Sequence, residues 1–184
     1  ETWEHGEPLQ AYFAKNNIAN THNSQLDGVT DFQLYFAINK ALNEDFGWTD
    51  GLSKLYYVLA KDYLYQQPNN LVTFADNHDL DRIFSVLGND LNKQKMAIGF
   101  ILTTRGIPCV YYGTELLMND RGDHGLLRRD MPGGWQGDTV NIFITDGRNL
   151  QQKEMFEFIK TLNLYRTSNP ALFNDGKRIQ FIPE

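Results

Sequence analysis

Short apolar runs alternate with helical patterns along this chain, and this order limits the folds it can adopt. The strand-like runs are 28–30, 71–75 and 107–112. The segments with helical spacing of apolar residues are 32–42, 52–63, 92–104 and 151–166. Strands alternating with helices are typical of a parallel sheet with crossover helices. The sequence therefore predicts an α/β fold, and the unbroken run 107–112 predicts a strand buried on both faces.

The helical segments also carry signals for their ends and buried faces. Asp31 is placed to cap the helix over 32–42 because an Asp side chain accepts hydrogen bonds from the first free backbone amides. A proline, Pro68, ends the next helical segment. The residues of that segment that we expect to face the core are Leu52, Leu55, Tyr56, Leu59 and Tyr63.

Composition and charge exclude several classes of protein. With 184 residues and 41% hydrophobic side chains, the chain can build one sizeable core. Its 17 Lys and Arg against 23 Asp and Glu give a net charge of −6, which argues against a nucleic-acid partner. Its apolar stretches are far shorter than the ~20 residues of a membrane helix, so no membrane partner is expected.

Two further features concern the environment of the protein. The single cysteine, Cys109, lies in an apolar run, which predicts a buried and unreactive thiol. The chain begins at Glu1 without the residue order of a signal peptide. We therefore expect a soluble protein that has been processed or cut, and its cellular address is not encoded in these residues.

A cluster of polar residues directly follows the strand-like run 71–75. It contains Asn77, His78, Asp79 and Asp81. The carboxyl ends of parallel strands are where α/β folds place their active sites. Two other interpretations stay open, an Asx-rich turn that caps the next helix and a metal site built on the same carboxylates and imidazole.

Two other segments hold residues suited to carbohydrate chemistry. Glu1 lies close to Trp3 in the sequence, and an apolar wall raises the pKa of a carboxyl group that must protonate a leaving oxygen. The alternative interpretation of Glu1 is an ordinary charged chain end. The long segment 113–149 is rich in Gly and Asp, and we expect it to lie over a site. Its Arg128, Asp130 and Trp135 are suited to sugar hydroxyls and sugar faces, or simply to anchoring the loop.

Taken in order, three of these segments resemble motifs of the α-amylase superfamily of glycoside hydrolases, in particular its cyclomaltodextrinase and neopullulanase-like branch. They are Glu1-Thr2-Trp3, the run Phe74 to Asp79, and the run Gly106 to Glu115, which resemble the family's fifth, seventh and eighth strands. The resemblance implies part of a (β/α)8 TIM barrel, about strands 5–8 with their helices, over residues 1–172. Residues 173–184, with a strand expected over 177–182, would begin a C-terminal β domain. A complete barrel takes ~250 residues.

The resemblance also implies roles for individual residues. Glu1 would be the general acid/base and Asp79 the carboxylate that stabilises the transition state. His78 would hydrogen-bond sugar hydroxyls and Asn77 would position them. The other implied substrate-binding residues are Trp3, Arg128, Asp130 and Trp135.

The family's nucleophilic aspartate belongs to a fourth-strand motif that we do not find in this sequence. The chain is therefore expected to be a piece of a retaining hydrolase of α-1,4-glucans or cyclodextrins, inactive alone. We expect it to self-associate or to pair with the missing N-terminal half, because a cut barrel leaves open sheet edges.

The resemblance implies no organic cofactor. It leaves open whether the parent enzyme binds calcium and whether that enzyme is periplasmic or secreted. Three other functions stay open. They are a noncatalytic glucan-binding half-barrel, a metal-dependent hydrolase centred on His78, Asp79 and Asp81, and a transglycosylase parent.

Overall fold

The structure is a computed structural model and describes residues 1–3, 6–15, 18 and 22–176. The α-helices are α1 (Glu7–Tyr12), α2 (Phe32–Asn43), α3 (Ser53–Ala60), α4 (Ile83–Val86), α5 (Leu91–Thr103), α6 (His124–Leu127), α7 (Leu150–Ser168) and α8 (Pro170–Asn174). The strands are β1 (Val72–Thr73) and β2 (Ile107–Pro108). Helices therefore dominate the described part of the chain.

The sheet is parallel and its order follows the chain. Val72 pairs with Ile107 of β2 on one side and forms a bridge with Thr30 on the other. The hydroxyl of Thr30 in turn accepts a hydrogen bond from the backbone amide of Thr2 at 3.3 Å. Four chain segments thus lie side by side with helical stretches between them, which confirms the predicted α/β arrangement.

The strands are shorter and more open than predicted. The expected strand 28–30 is only the bridge at Thr30, and β1 and β2 cover two residues each. Ile107 is 54% exposed and Cys109 is exposed, so the predictions of a doubly buried strand and of a buried thiol are wrong. The reason is that, among the described residues, β2 pairs with β1 alone, which leaves its other edge uncovered.

The main hydrophobic core lies among the helices. Helices α2, α5 and α7 bury the side chains of Leu34, Ile38, Ile98, Ile101 and Met155 in one cluster. The cap on α2 is confirmed, because the Asp31 side chain accepts a hydrogen bond from the Leu34 amide at 3.1 Å. These long helices match the predicted segments because their apolar residues recur at a spacing of three and four.

Helix α3 differs from its prediction. It ends at Ala60 and is followed by a 3₁₀ turn at Asp62–Leu64. Val58 and Leu59 are its buried residues, whereas the predicted core residues Leu52, Tyr56 and Tyr63 are exposed. Because this short helix packs mainly against α2, only a narrow face is covered.

The two ends of the chain hold helices that the apolar pattern did not predict. Helix α1 has a proline in its first turn, where the missing amide proton costs nothing. Helix α8 crosses the predicted domain boundary between residues 172 and 173. The expected strand 177–182 lies outside the described residues, so the division at 172/173 stays a prediction.

Across the described ranges, no helix is both long enough and apolar enough to cross a membrane.

Candidate active site

The polar loop that follows β1 meets the long segment 113–149. Asp79 Oδ1 lies 2.5 Å from Nη2 of Arg128, and Asp79 Oδ2 lies 3.2 Å from Nε2 of His78. Arg128 also donates from Nε to the carbonyl of His78 at 3.0 Å. The long segment therefore contacts the polar loop through Arg128, and its place over a functional site stays a prediction.

The conformation of the polar loop is set by Asn77. Its side-chain oxygen accepts a hydrogen bond from the Asp79 amide at 2.8 Å. This is the Asx turn that the sequence left open, and it fixes the backbone of Asp79. The Asp79 side chain is 30% exposed, so a carboxylate held by a cation still reaches solvent.

Asp76 anchors the start of the same loop, a structural role that the sequence analysis did not assign to it. Its side chain accepts hydrogen bonds from the Ile83 amide at 3.0 Å and from the Thr114 hydroxyl at 3.0 Å. Asp76 is 2% exposed, and this burial raises the pKa of its carboxyl to about 6, although both donors and Arg82 oppose the rise. It joins the end of β1 to the start of α4 and to the turn Thr114–Leu116.

The buried Asp76 carboxyl should make stability depend on pH. Its native pKa of about 6 exceeds the value near 4 of an unfolded Asp, so it adds stability that is complete below about pH 4. That stability is lost as the pH rises through 6. Two pKa units correspond to about 3 kcal/mol. In urea unfolding, we expect the stability of the wild type relative to Asp76→Asn to fall by about 3 kcal/mol from pH 4 to 7.5.

A second variant checks the origin of this effect. Thr114→Val removes a donor that lowers the pKa of Asp76. This variant should therefore lose more stability between pH 4 and 7.5 than the wild type does. Parallel stability curves for the wild type and Asp76→Asn between pH 4 and 7.5 would contradict the prediction.

Trp3 contacts the aromatic cluster that adjoins the polar loop. The ring of Trp3 lies 4.8 Å from that of Phe32, and the Phe32 ring lies 5.0 Å from that of Phe74. Phe32 and Phe74 form one buried cluster with Leu80, the residue after Asp79. Glu1 is exposed, so Trp3 packs on Phe32 instead of enclosing the Glu1 carboxyl. The acid/base role of Glu1 stays a prediction.

Of the predicted residues on the long segment, the structure brings only Arg128 to the polar loop. Asp130 is exposed, and Trp135 is 68% exposed. The backbone amide of Trp135 donates to Asp138 at 3.0 Å, which holds the backbone there in a turn. The substrate-binding roles of Asp130 and Trp135 stay predictions.

A cleft of 410 Å³ opens beside Asp79. One wall contains Asp79 and Asp81, and the facing wall contains Tyr35 and Lys40 of α2. A groove of 640 Å³ lies elsewhere, along α7. We regard the smaller cleft as the candidate ligand site because it contains the oriented carboxylate.

The described residues contain no group of three or more His, Cys, Asp and Glu side chains placed to hold a metal ion.

Asp81 accepts a hydrogen bond from the Gly122 amide at 2.7 Å and so connects the polar loop to the long segment. What the site can do chemically is accept and donate hydrogen bonds through Asp79 and His78, which suits a polyhydroxylated ligand.

Comparison with known proteins places this arrangement in a family. Residues 6–161 match the model of the alpha amylase catalytic domain. A cyclomaltodextrin glucanotransferase of Thermoanaerobacterium thermosulfurigenes is 30% identical over 158 residues, which are 85% of this chain and 19% of that protein. An alpha-amylase of Niallia circulans is 36% identical over 106 residues, which are 56% of this chain and 20% of that protein. The chain thus spans about a fifth of the length of these relatives.

The solved structures agree. The alpha-amylase from H. orenii superimposes with a TM-score of 0.64 and 26% identity, covering 86% of this chain and 34% of that one. The similarity supports a partial barrel-type α/β fold. Since the family model matches well over half of the residues, the chain belongs to the alpha-amylase catalytic domain family.

Proposed function

We propose that this chain carries part of the active site of a retaining enzyme that cleaves α-1,4-glucosidic bonds in maltooligosaccharides, starch or cyclodextrins. The observation that carries the proposal is the half-buried Asp79, oriented by Arg128 and adjacent to His78 at the carboxyl end of a parallel strand. A carboxylate in this setting can strengthen its hydrogen bonds to sugar hydroxyls as positive charge develops at the anomeric carbon.

Each residue then has a distinct task. Asp79 stabilises the transition state, and His78 holds sugar hydroxyls next to it. Glu1 protonates the leaving oxygen and later activates water. The covalent glycosyl-enzyme needs a further carboxylate, which we place outside these 184 residues because the fourth-strand motif is not among them.

The names of the relatives support the substrate class. Both are glucan enzymes by name, a cyclomaltodextrin glucanotransferase and an alpha-amylase. The cyclomaltodextrinase and neopullulanase-like branch is the finer assignment that the motifs favour, and it stays a proposal. In this proposal, β1, β2, the bridge residue Thr30 and the segment at Thr2 that contacts it belong to strands 5–8 of the barrel.

A transglycosylase is the second candidate, favoured by the glucanotransferase relative that aligns over 85% of the chain. In that reaction a sugar hydroxyl replaces water in the attack on the glycosyl-enzyme. The same residues serve both reactions, and the outcome depends on whether the loops exclude water.

We also propose that the chain pairs with another polypeptide through the open side of β2. Ile107 is 54% exposed there, and the neighbouring groove of 640 Å³ is lined by Val110, Ile159 and Leu164. An uncovered strand edge beside an apolar groove favours association. Co-elution with a polypeptide that supplies the other barrel strands would support this pairing.

The proposed activity is tested by reducing-sugar release from maltoheptaose and β-cyclodextrin. The chain is assayed alone and after mixing with a polypeptide that supplies the fourth-strand motif. We expect no release by the chain alone and release by the mixture. Release by the chain alone would contradict the missing nucleophile. Glucan binding without release in the mixture would favour a noncatalytic binding module, and cyclic products from the mixture would favour the transglycosylase.

A further inference from the structure

Arg82 is fully buried three residues after Asp79. Its guanidinium carbon lies 4.1 Å from the ring centre of Tyr111 and 4.8 Å from that of Tyr112. Nη1 donates to the Tyr112 carbonyl at 2.5 Å. Nε and Nη2 are buried and have no hydrogen-bond acceptor within the described ranges, so the tyrosine rings add to the attraction that the Asp76 carboxyl exerts on this cation.

The hydroxyl groups of the same two tyrosines hold the backbone on both sides of Arg128. Tyr112 donates to the carbonyl of Arg129 at 2.9 Å, and Tyr111 donates to the carbonyl of Leu127 at 3.4 Å. Burial and the neighbouring Tyr112 together raise the pKa of Tyr111 to about 12. The Tyr111 hydroxyl therefore stays protonated at neutral pH and acts as a donor.

Arg128 needs such support to stay on Asp79. Its side chain is 48% exposed, and an exposed ion pair alone gains little because two mobile side chains must be ordered. Fixing the backbone on both sides of Arg128 removes part of that cost before the contact forms. The fold brings these supporting groups together from two loops, 79–82 and 111–112, which lie about 30 residues apart in the sequence.

We propose that Arg82, Tyr111 and Tyr112 form a clamp that positions Arg128 against Asp79. Arg82 holds the tyrosine rings, the tyrosine hydroxyls hold the backbone around Arg128, and Arg128 orients the Asp79 carboxylate. All three are positioning residues, since each acts on Asp79 through Arg128. The inference rests on the proposed function only for the catalytic role of Asp79, because the clamp itself is defined by contacts among protein groups.

The test uses Tyr112→Phe, which keeps the ring over Arg82 and removes one hydroxyl. The matched control is Tyr57→Phe, whose hydroxyl also donates to a backbone carbonyl, that of Trp48 at 3.0 Å. In the full chain labelled with ¹⁵N-arginine, NMR measures the exchange of the Arg128 Nε proton with water. The loss of one hydrogen bond should make this exchange about tenfold faster.

A double variant and an internal reference complete the experiment. Tyr111→Phe/Tyr112→Phe should accelerate the exchange further, while Tyr57→Phe should leave it unchanged. The Nε proton of Arg105, which donates to Asp62 at 2.9 Å, reports on general loosening of the fold and should not change in any variant.

Two outcomes overturn the clamp. One is an unchanged Arg128 exchange rate in the double variant, and the other is an equal acceleration at Arg105. The measurement involves no sugar, so it separates the two proposals. A clamp that passes this test in a chain whose mixture releases no sugar would refute the proposed function alone.

Discussion

Asp79→Asn is expected to lower kcat of the complemented enzyme about a thousandfold and to leave KM within a few-fold. The amide keeps the size of the carboxylate but is neutral, so it cannot strengthen its hydrogen bonds as charge develops on the sugar. Arg128, which lies 2.5 Å from the carboxylate, also loses its ionic partner. A loss of about 4 kcal/mol of transition-state stabilisation corresponds to a factor of a thousand.

The rates are measured with maltoheptaose and the chain mixed with the polypeptide that supplies the nucleophile. The matched control is Asp45→Asn, the same change at an exposed position in the loop after α2, which should keep full activity. Retention of more than a tenth of kcat in Asp79→Asn would show that this carboxylate does not act in the transition state. A rise in KM with unchanged kcat would assign Asp79 to ground-state binding alone.

Arg105→Met should lower the free energy of unfolding by about 4 kcal/mol. Arg105 is 9% exposed and contacts two carboxylates, Asp31 at 2.5 Å and Asp62 at 2.7 Å. Burial lowers the pKa of Arg105, but the two carboxylates raise it by more, so the side chain is charged. Removing this cation leaves two negative charges in and near the core. Breaking a buried ion pair by removing one partner costs roughly 3–5 kcal/mol.

The cost should be large because Asp31 cannot reach water. It is 1% exposed and also accepts hydrogen bonds from Gln10 and from the Leu34 amide at the start of α2. Urea unfolding at pH 7 gives the change in stability. The control is Lys160→Met, which removes the exposed ion pair with Glu157 and should cost less than about 1 kcal/mol. Adding Asp62→Asn to Arg105→Met should recover part of the loss, and a purely additive double variant would contradict the coupling.

The sequence predicted the long helices well and the strands poorly. Helices α2, α5 and α7 each have apolar residues at a spacing of three and four, and Asp31 and Asp90 provide caps for α2 and α5. These signals are local, since they depend on residues within one or two turns. A strand ends where its neighbour ends, so the extent of β1 and β2 depends on pairing between distant parts of the chain.

Local sequence signals also predicted part of the candidate site. The run Asn77-His78-Asp79 after an apolar strand indicated a site, and Arg128 and Trp135 were suited to sugars. That Arg128 contacts Asp79 while Trp135 remains 68% exposed follows from the path of a long loop with little periodicity. No spacing in the sequence predicts which of its polar residues turns inward.

By itself, the sequence determined the α/β class, the positions of the main helices and the motifs that resemble the α-amylase superfamily. Tertiary structure alone decided the raised pKa of Asp76, the pairing of Arg105 with Asp31 and Asp62, and the place of Arg82 between Tyr111 and Tyr112. The physical reason is that burial and charge pairing depend on groups tens of residues apart in the chain. Their separation becomes short only when the helices have packed against the sheet.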